Sequence, residues 1–242
     1  MSKENPPLGH ALHEMHRYKR ITLALVKSDR LSNTATLRLT FAHQDGLAYA
    51  ETLVNALSVQ PALRIGSTMC DIEGVDLTGS EWTGISTWSD LVADADRQAD
   101  RHTIRLEFAT PTAITKRDGH SGRFMSLFPT PLDVFSGLSR RWHALDGPAL
   151  MDDLEGFVQM GGCVVSGYDL RSVEFRTSER TQIGFTGWVL YRLACRTRGP
   201  SLSEREAANV VALNALGRLA FFTGVGYQTA RGMGATQVTI SQ

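Results

Sequence analysis

Cysteine is scarce in this chain: Cys70, Cys163 and Cys195 are all that 242 residues contain. They lie far apart, and no two have the spacing of a metal-ligand pair or a redox motif. That excludes a disulfide framework and leaves buried thiols of a reducing compartment as the expectation. Long hydrophobic runs are missing too, and no signal-like segment opens the chain. No membrane partner is therefore expected, and the sequence reads as cytoplasmic and soluble. Nor is there an excess of charge of one sign, since 25 basic and 25 acidic residues give a formal net charge of zero. A protein that held a polyanion by bulk charge would be basic, so any such grip here has to come from clustering.

What is present is ordinary globular composition, 42% hydrophobic and 21% charged, in a length that suits one large domain or two of roughly 120 residues. Basic residues do gather locally. Arg17, Lys19, Arg20, Lys27 and Arg30 outnumber Glu14 and Asp29 over 13–30, and Lys116, Arg117, Arg123, Arg140 and Arg141 outnumber Asp118 and Asp133 over 111–145. The last 25 residues carry Arg218 and Arg231 and no acid. Scattered surface charge is the competing reading of this pattern.

Periodicity gives the elements. A short helix is expected over Gly9–His16. Strands follow at Tyr18–Val26, where Ile21, Leu23 and Leu25 alternate, and at Ala35–Phe41, where Leu37, Leu39 and Phe41 alternate with Arg38 on the other face. Asp45–Leu57 reads as a helix, Leu63–Val75 as one or two strands, and 76–100 as a polar, acidic passage around Trp82 and Trp88 with a short helix from Ser89. Thr103–Phe108 is a strand before a Thr-Pro-Thr turn. The basic, glycine-bearing segment 115–124 suits a hairpin tip. Pro131–Leu145 is helical, and a second helix is expected over Pro148–Met160. Val164–Phe175 and Gly184–Cys195 read as antiparallel strands. Ser203 and Glu206 form a capping box ahead of a helix that runs to about Phe222. A glycine loop and a final strand, Ala235–Ile240, close the chain. Strands separated by helices, with hairpins between, suggest an α+β fold of ferredoxin-like (RRM-like) type.

The loop reads Gly224-Val-Gly226-Tyr227-Gln-Thr229-Ala-Arg231-Gly232-Met-Gly234. Glycines permit positive φ and close approach of a partner, and backbone N–H groups in such a loop can cradle phosphate oxygens. Arg231 could add a charge-assisted contact, and Tyr227 could stack on a base. A turn that only joins helix to strand is the simpler reading of the loop alone. A dinucleotide fingerprint follows a strand and opens a helix, the reverse of the order here, and the Walker pattern is absent.

Other segments stand around the loop in a fixed order: Leu106-Glu107-Phe108-Ala109-Thr110-Pro111-Thr112, Phe128-Pro129-Thr130-Pro131 with Val134-Phe135, Leu138 and Arg141-Trp142, then Tyr168-Asp169-Leu170 and Gly184-Phe185-Thr186-Gly187, then Leu219–Phe222. Trp82-Thr83-Gly84 through Leu91 adds a piece upstream. This ordered set resembles the CRISPR-associated repeat-processing endoribonucleases of the repeat-associated mysterious protein superfamily. The resemblance covers about 104–238 and fades before 82.

The resemblance implies two tandem ferredoxin-like domains, here 1–103, abbreviated, and 104–242 with the glycine loop. It also implies metal-independent cleavage of CRISPR repeat RNA without a cofactor. The ribose 2′-OH attacks the phosphorus, a base takes its proton, an acid protonates the leaving 5′-oxygen and a cation steadies the charge. The crRNA hairpin and other Cas proteins of an effector complex are the implied partners. A non-catalytic crRNA-binding subunit is the alternative. The family places a catalytic histidine on or near the first helix of the first domain. His16, beside Tyr18 and Arg20, is the first candidate and His43 the runner-up; His10, His13 and His16, three apart on a helix, could share a face as metal ligands, but a frayed, solvent-exposed terminus is the plainer reading. Members associated with type IV systems depart from the histidine pattern, and Arg20, Arg38 and Arg231 could converge on one phosphate instead, holding it rather than acting as bases. A solvated strand face is the plain reading of Arg20 and Arg38. Lys116, Arg117, Arg123, Arg140 and Arg141 are candidates to follow the RNA backbone. With Gly224, Gly226, Tyr227, Thr229, Gly232 and Gly234 they complete the expected RNA-binding set.

Overall fold

Strict alternation sets the central strand. In β5 (Thr103–Thr112) Ile104, Leu106 and Phe108 fall on one face and are buried, while Arg105 and Glu107 fall on the other. A computed structural model describes residues 20–29, 31–65, 67–118, 122–150, 153–176, 181–193 and 203–241. In it, β5 lies inside a four-stranded antiparallel sheet with β8 (Cys163–Arg176), β9 (Thr181–Leu193) and β10 (Thr236–Ser241), in the order β10-β5-β9-β8. Between the strands run the helices α3 (Pro131–Ala144) and α5 (Glu204–Thr223). Chain order and sheet order together make the split βαβ plan, in which each helix returns the chain across the sheet.

The inward face of the sheet meets both helices. Val189 and Tyr191 of β9 join Ile104, Leu106 and Phe108 against Val134, Phe135, Leu138 and Trp142 of α3 and Val210, Leu213, Leu216 and Leu219 of α5. α5 is buried nearly all round, even at Asn209 and Asn214, because a sheet, α3 and α2 (Trp88–Arg97) surround it. The Asn214 amide nitrogen donates to the carbonyls of Gln98 and Arg101, each at 3.2 Å, while its Oδ1 is buried without a partner among the described residues. Trp142 is fully buried, lies 4.7 Å from the Trp88 ring, and donates its indole N–H to Pro148 O at 2.6 Å.

The helix expected over Pro148–Met160 is much shorter. α4 spans only Leu154–Phe157, because Asp153 caps it by accepting from Gly156 N at 2.8 Å. It ends in a π-type turn, Val158–Gly162, where Gly161 takes φ 85°. The backbone before it is used to cover Trp142 instead.

The first half holds two hairpins and two helices. β1 (Ile21–Asp29) pairs with β2 (Thr34–Phe41), α1 (Gly46–Val59) follows, and β3 (Ala62–Ile65) pairs with β4 (Thr68–Asp71) before α2. Among the described residues these two hairpins do not join into one sheet. A third hairpin, β6 (Ile114–Asp118) with β7 (Gly122–Ser126), extends from the end of β5. The expected helix over 9–16 lies outside the described residues. Among the described residues no helix is long and apolar enough to cross a membrane.

Register inverts the simple reading of the first hairpin. Ala24 pairs with Arg38 and Thr22 with Thr40, so these share one face, and Leu23, Leu25, Leu37 and Leu39 share the other. Thr22 and Ala24 are buried, whereas Leu25 and Leu39 are exposed. The face that carries Arg38 therefore turns inward, toward the C-terminal end of α5.

Two expected outcomes follow from this packing. Trp142→Ala removes a fully buried side chain and should cost about 3–5 kcal/mol, read from urea unfolding. The capping boxes of α2 and α5 hold the Asp90 carboxyl below its ordinary 3.8, through hydrogen bonds from Thr87, and the Glu206 carboxyl below its ordinary 4.5, through hydrogen bonds from Ser203. A depressed folded pKa contributes stability above the ordinary value that is lost as pH falls through the folded one. Melting temperature should drop on acidification through that range, and Asp90→Asn with Glu206→Gln should flatten the drop.

Candidate functional site

A helix leaves its last carbonyls without internal partners. At the end of α5 each finds a side chain from elsewhere in the chain. Arg38 Nη1 donates to Phe221 O at 2.6 Å, and Thr22 Oγ1 donates to Phe222 O at 3.3 Å. Arg141 of α3 donates through Nη1 to Thr223 O and, at 2.9 Å, to Gly224 O, and through Nη2 to Gly226 O at 2.8 Å. Two cationic groups thus sit at the negative end of the helix dipole.

The glycine loop grows from this end. Gly224 leaves the helix at φ 67°, and Gly226, Gly232 and Gly234 take φ 84°, 96° and 75°. Close approach fixes three of them. A Cβ on Gly224 would lie 2.6 Å from Gly234 O, on Gly226 2.4 Å from Ala113 O, and on Gly234 2.1 Å from Val225 O. Gly232 has no such neighbour, and only its φ requires glycine. Many of the loop's N–H groups are spent internally. Gly224 donates to Ala220 O, Val225 to Gly234 O, Tyr227 to Ala113 O, Arg231 and Met233 to Gln228 O, and Gly234 to Pro111 O. The expected phosphate cradle of backbone N–H groups is corrected to that extent: these donors hold the loop itself together. Gln228 adds an αL residue at φ 56°, and Thr229–Arg231 form one 3₁₀ turn. Thr229 is buried and Arg231 is exposed, with no partner for its guanidinium among the described residues.

The expected arginines part company here. Arg38 lies over the Phe221 ring at 4.1 Å and the Trp82 ring at 5.6 Å, and its Nε donates to Trp82 O at 2.8 Å. Burial pulls its guanidinium down to about 10. Together with Thr22, Ala24, Gly224, Thr229 and Met233 it lines a small cavity between β1 and the loop. Arg20 sits further along the same hairpin, where its carbonyl accepts from Ala42 N at 2.7 Å and its guanidinium pairs with the exposed Asp146 at 3.2 Å. The structure brings Arg38 to the loop, but Arg20 and Arg38 stand four register positions apart, about 13 Å at the usual strand rise. The convergence of Arg20, Arg38 and Arg231 on one phosphate is thereby corrected, since Arg38 is stacked and committed to carbonyls.

Arg141 is corrected in the same way. It is buried and holds the loop, so it does not follow an RNA backbone from the surface. Lys116 pairs with Asp133, in the first turn of α3, at 2.7 Å. Arg140 is half-exposed, 4.0 Å from Glu155. Arg117 and Arg123 are backbone partners in the register of the β6–β7 hairpin. His16 lies outside the described residues, as do His10 and His13. His43 stands in the turn from β2 to α1. Its Nδ1 accepts from Asp45 N at 3.1 Å, and its ring lies 5.4 Å from that of Tyr49. Because Arg20 is opposite Ala42, His43 and Arg20 are neighbours, a juxtaposition invisible in the sequence. Thr22, Trp82 and Phe221 were not singled out for the site either; an arginine alternating with leucines was the one signal toward them.

The sequence profile of the CRISPR-associated endoribonuclease Cas6 family matches residues 106–236. No curated protein matches the chain. Among solved structures, one described as a Cas6 product complex has a TM-score of 0.79 and 25% identity over 98% of this chain and 88% of that one. A second Cas6 product complex has 0.74 and 26% over 97% and 88%. Thermus thermophilus Cas6 has 0.69 and 28% over 98% and 86%. The matched residues build most of the larger sheet, its two helices and the glycine loop, whereas Thr22, Arg38 and Trp82 lie outside the match. The chain belongs to the Cas6 family of CRISPR-associated endoribonucleases.

Gly226→Ala should destabilise the loop by at least the 1–2 kcal/mol that left-handed backbone costs a residue with a Cβ, since Ala113 O blocks relaxation. Chemical denaturation and amide exchange of Tyr227 check this. Gly232→Ala, free of that clash, should lose less.

Proposed function

We propose that this chain cleaves CRISPR repeat RNA by attack of the ribose 2′-OH beside the scissile bond, without a metal ion, and retains the hairpin product. The observation that carries this reading is the family membership of the half of the chain that builds the glycine loop, together with a histidine at the head of α1. His43 Nδ1 faces Asp45, whose N–H lies at 3.1 Å and whose carboxylate lies at 3.4 Å, so Nε2 is the nitrogen open to substrate. In the imidazolium form, with Nδ1–H turned to that carboxylate, the ring gives its Nε2 proton to the leaving 5′-oxygen and is left neutral. Arg20 beside it pairs with an exposed carboxylate, and such pairs exchange readily for a phosphate. Arg231, exposed on the loop, is suited to steady charge on the phosphorane, and Tyr227 is an RNA contact on the same loop, while the buried Thr229 supports it from inside.

On this reading the first half and the second form two ferredoxin-like units divided at 103/104, the first abbreviated. Lys116, Arg117, Arg123 and Arg140 follow the stem, and other Cas proteins of an effector complex receive the bound product.

The test uses a repeat hairpin RNA in excess EDTA, beside the same RNA with a single 2′-deoxy at the cut site. Cleavage of the first and none of the second is expected; cleavage of the deoxy substrate sinks the mechanism. His43→Ala should lower the single-turnover rate by about 10²–10⁴-fold, the usual contribution of a positioned acid or base. An unchanged rate removes His43 from the reaction. Tight binding without cleavage by the unaltered chain favours a crRNA-binding subunit instead.

A further inference from the structure

We propose that Arg38 and Arg141 are positioning residues for RNA cleavage. They act as a two-sided clamp that fixes the glycine loop to the hairpin bearing Arg20 and His43. The inference rests on the reading above for its substrate, but its geometry is independent of it.

Three elements distant in sequence meet at one helix end. β2 supplies Arg38 to Phe221 O, β1 supplies Thr22 to Phe222 O, and α3 supplies Arg141 to Thr223 O, Gly224 O and Gly226 O. Arg141 reaches the loop carbonyls from the side of the second half. Arg38 links the first half to the same helix end and is itself slotted beside Trp82 and Phe221. The peptide groups involved are tied at both ends. Gly224 O is held by Arg141 while Val225 N is held by Gly234 O, and Gly226 O is held by Arg141 while Tyr227 N is held by Ala113 O. A planar guanidinium can serve several carbonyls at fixed angles, and an ammonium cannot reproduce that fork. Thus Arg→Lys keeps the charge at the helix end but loses the geometry.

The consequence for chemistry is registration. Arg231 rides on the 3₁₀ turn of the loop, and His43 follows β2 by two residues. Arg38 and Arg141 clamp the base of each against α5. Displacement of a reacting group by about 1 Å can cost about 10²-fold in rate, while each half can still meet RNA on its own.

The experiment compares Arg38→Lys, Arg141→Lys and the double variant with the unaltered full chain. Three quantities are read: single-turnover cleavage at saturating repeat RNA, affinity for the uncleavable 2′-deoxy RNA against salt, and amide exchange of Val225, Tyr227 and Gly234. The expected result is a rate lowered by about 10–10²-fold, with affinity little changed and loop exchange accelerated. The double variant should lose less than the product of the two single losses, because both act on one helix end. A salt slope lower by about 0.7–0.9 marks a lost phosphate contact, and would overturn positioning in favour of direct RNA binding. Unaltered rate and exchange in both variants would also overturn it. So would a rate loss matched by loss of folded protein in circular dichroism, which marks a purely structural role. If the unaltered chain binds but does not cleave, the catalytic reading fails by itself, and the exchange measurement still decides the clamp.

Discussion

Everything around the candidate site depends on how one helix ends. α5 is surrounded on nearly every side, so its last carbonyls open into protein rather than water, and each must be met there. Each carbonyl left unmet in a buried helix end would cost about 1–3 kcal/mol. The solution recruits two guanidiniums and a hydroxyl from three separate elements. That requirement, more than the apolar core, determines where the first hairpin lies and where the glycine loop begins.

The glycines are a consequence of the same constraint. Once Arg141 draws Gly224 O and Gly226 O inward, the chain has to turn back through positive φ within a few residues, with β5 and the β5–β6 connection at van der Waals distance. Three of the four glycines are therefore demanded by neighbouring backbone. What the loop presents outward is Arg231 and the side chains beside it, and the rigidity of their support comes from inside. Such a loop differs from one that offers its own N–H groups to an anion, since here the backbone donors serve as scaffold.

The second half was legible because its signals are local. Ile104, Leu106 and Phe108 alternate without interruption, Ser203 and Glu206 mark the start of α5, and Thr130-Pro131 marks the start of α3. The first half was harder to read because its alternation has two possible senses. Leucines on one face of a hairpin ordinarily face a core, yet Leu25 and Leu39 are exposed while Arg38, on the other face, is half-buried. No local pattern announces a guanidinium used as a helix cap 183 residues away. Arg141 was misread for the same reason: an arginine beside another arginine on a helix looks like surface charge. His43 and Arg20 are 23 residues apart in the chain and become neighbours only through the register of β1 with β2. The shortened helix at 154–157 reflects a tertiary demand as well, the covering of Trp142.

The outward leucines of the β1–β2 hairpin have a thermodynamic consequence. Among the described residues, the joint between this hairpin and the rest of the chain includes Thr22, Arg38 and the Arg20–Asp146 pair, beside Ala24 and the Trp82 and Phe221 rings under Arg38. The polar share of such a joint adds little heat capacity when it opens. Its strength varies weakly with temperature, unlike that of the core beneath it. Warming therefore loosens the sheet and helices of the second half by the usual curved law, while the hold of one half on the other responds chiefly to ionic strength and to competing hydrogen-bond partners.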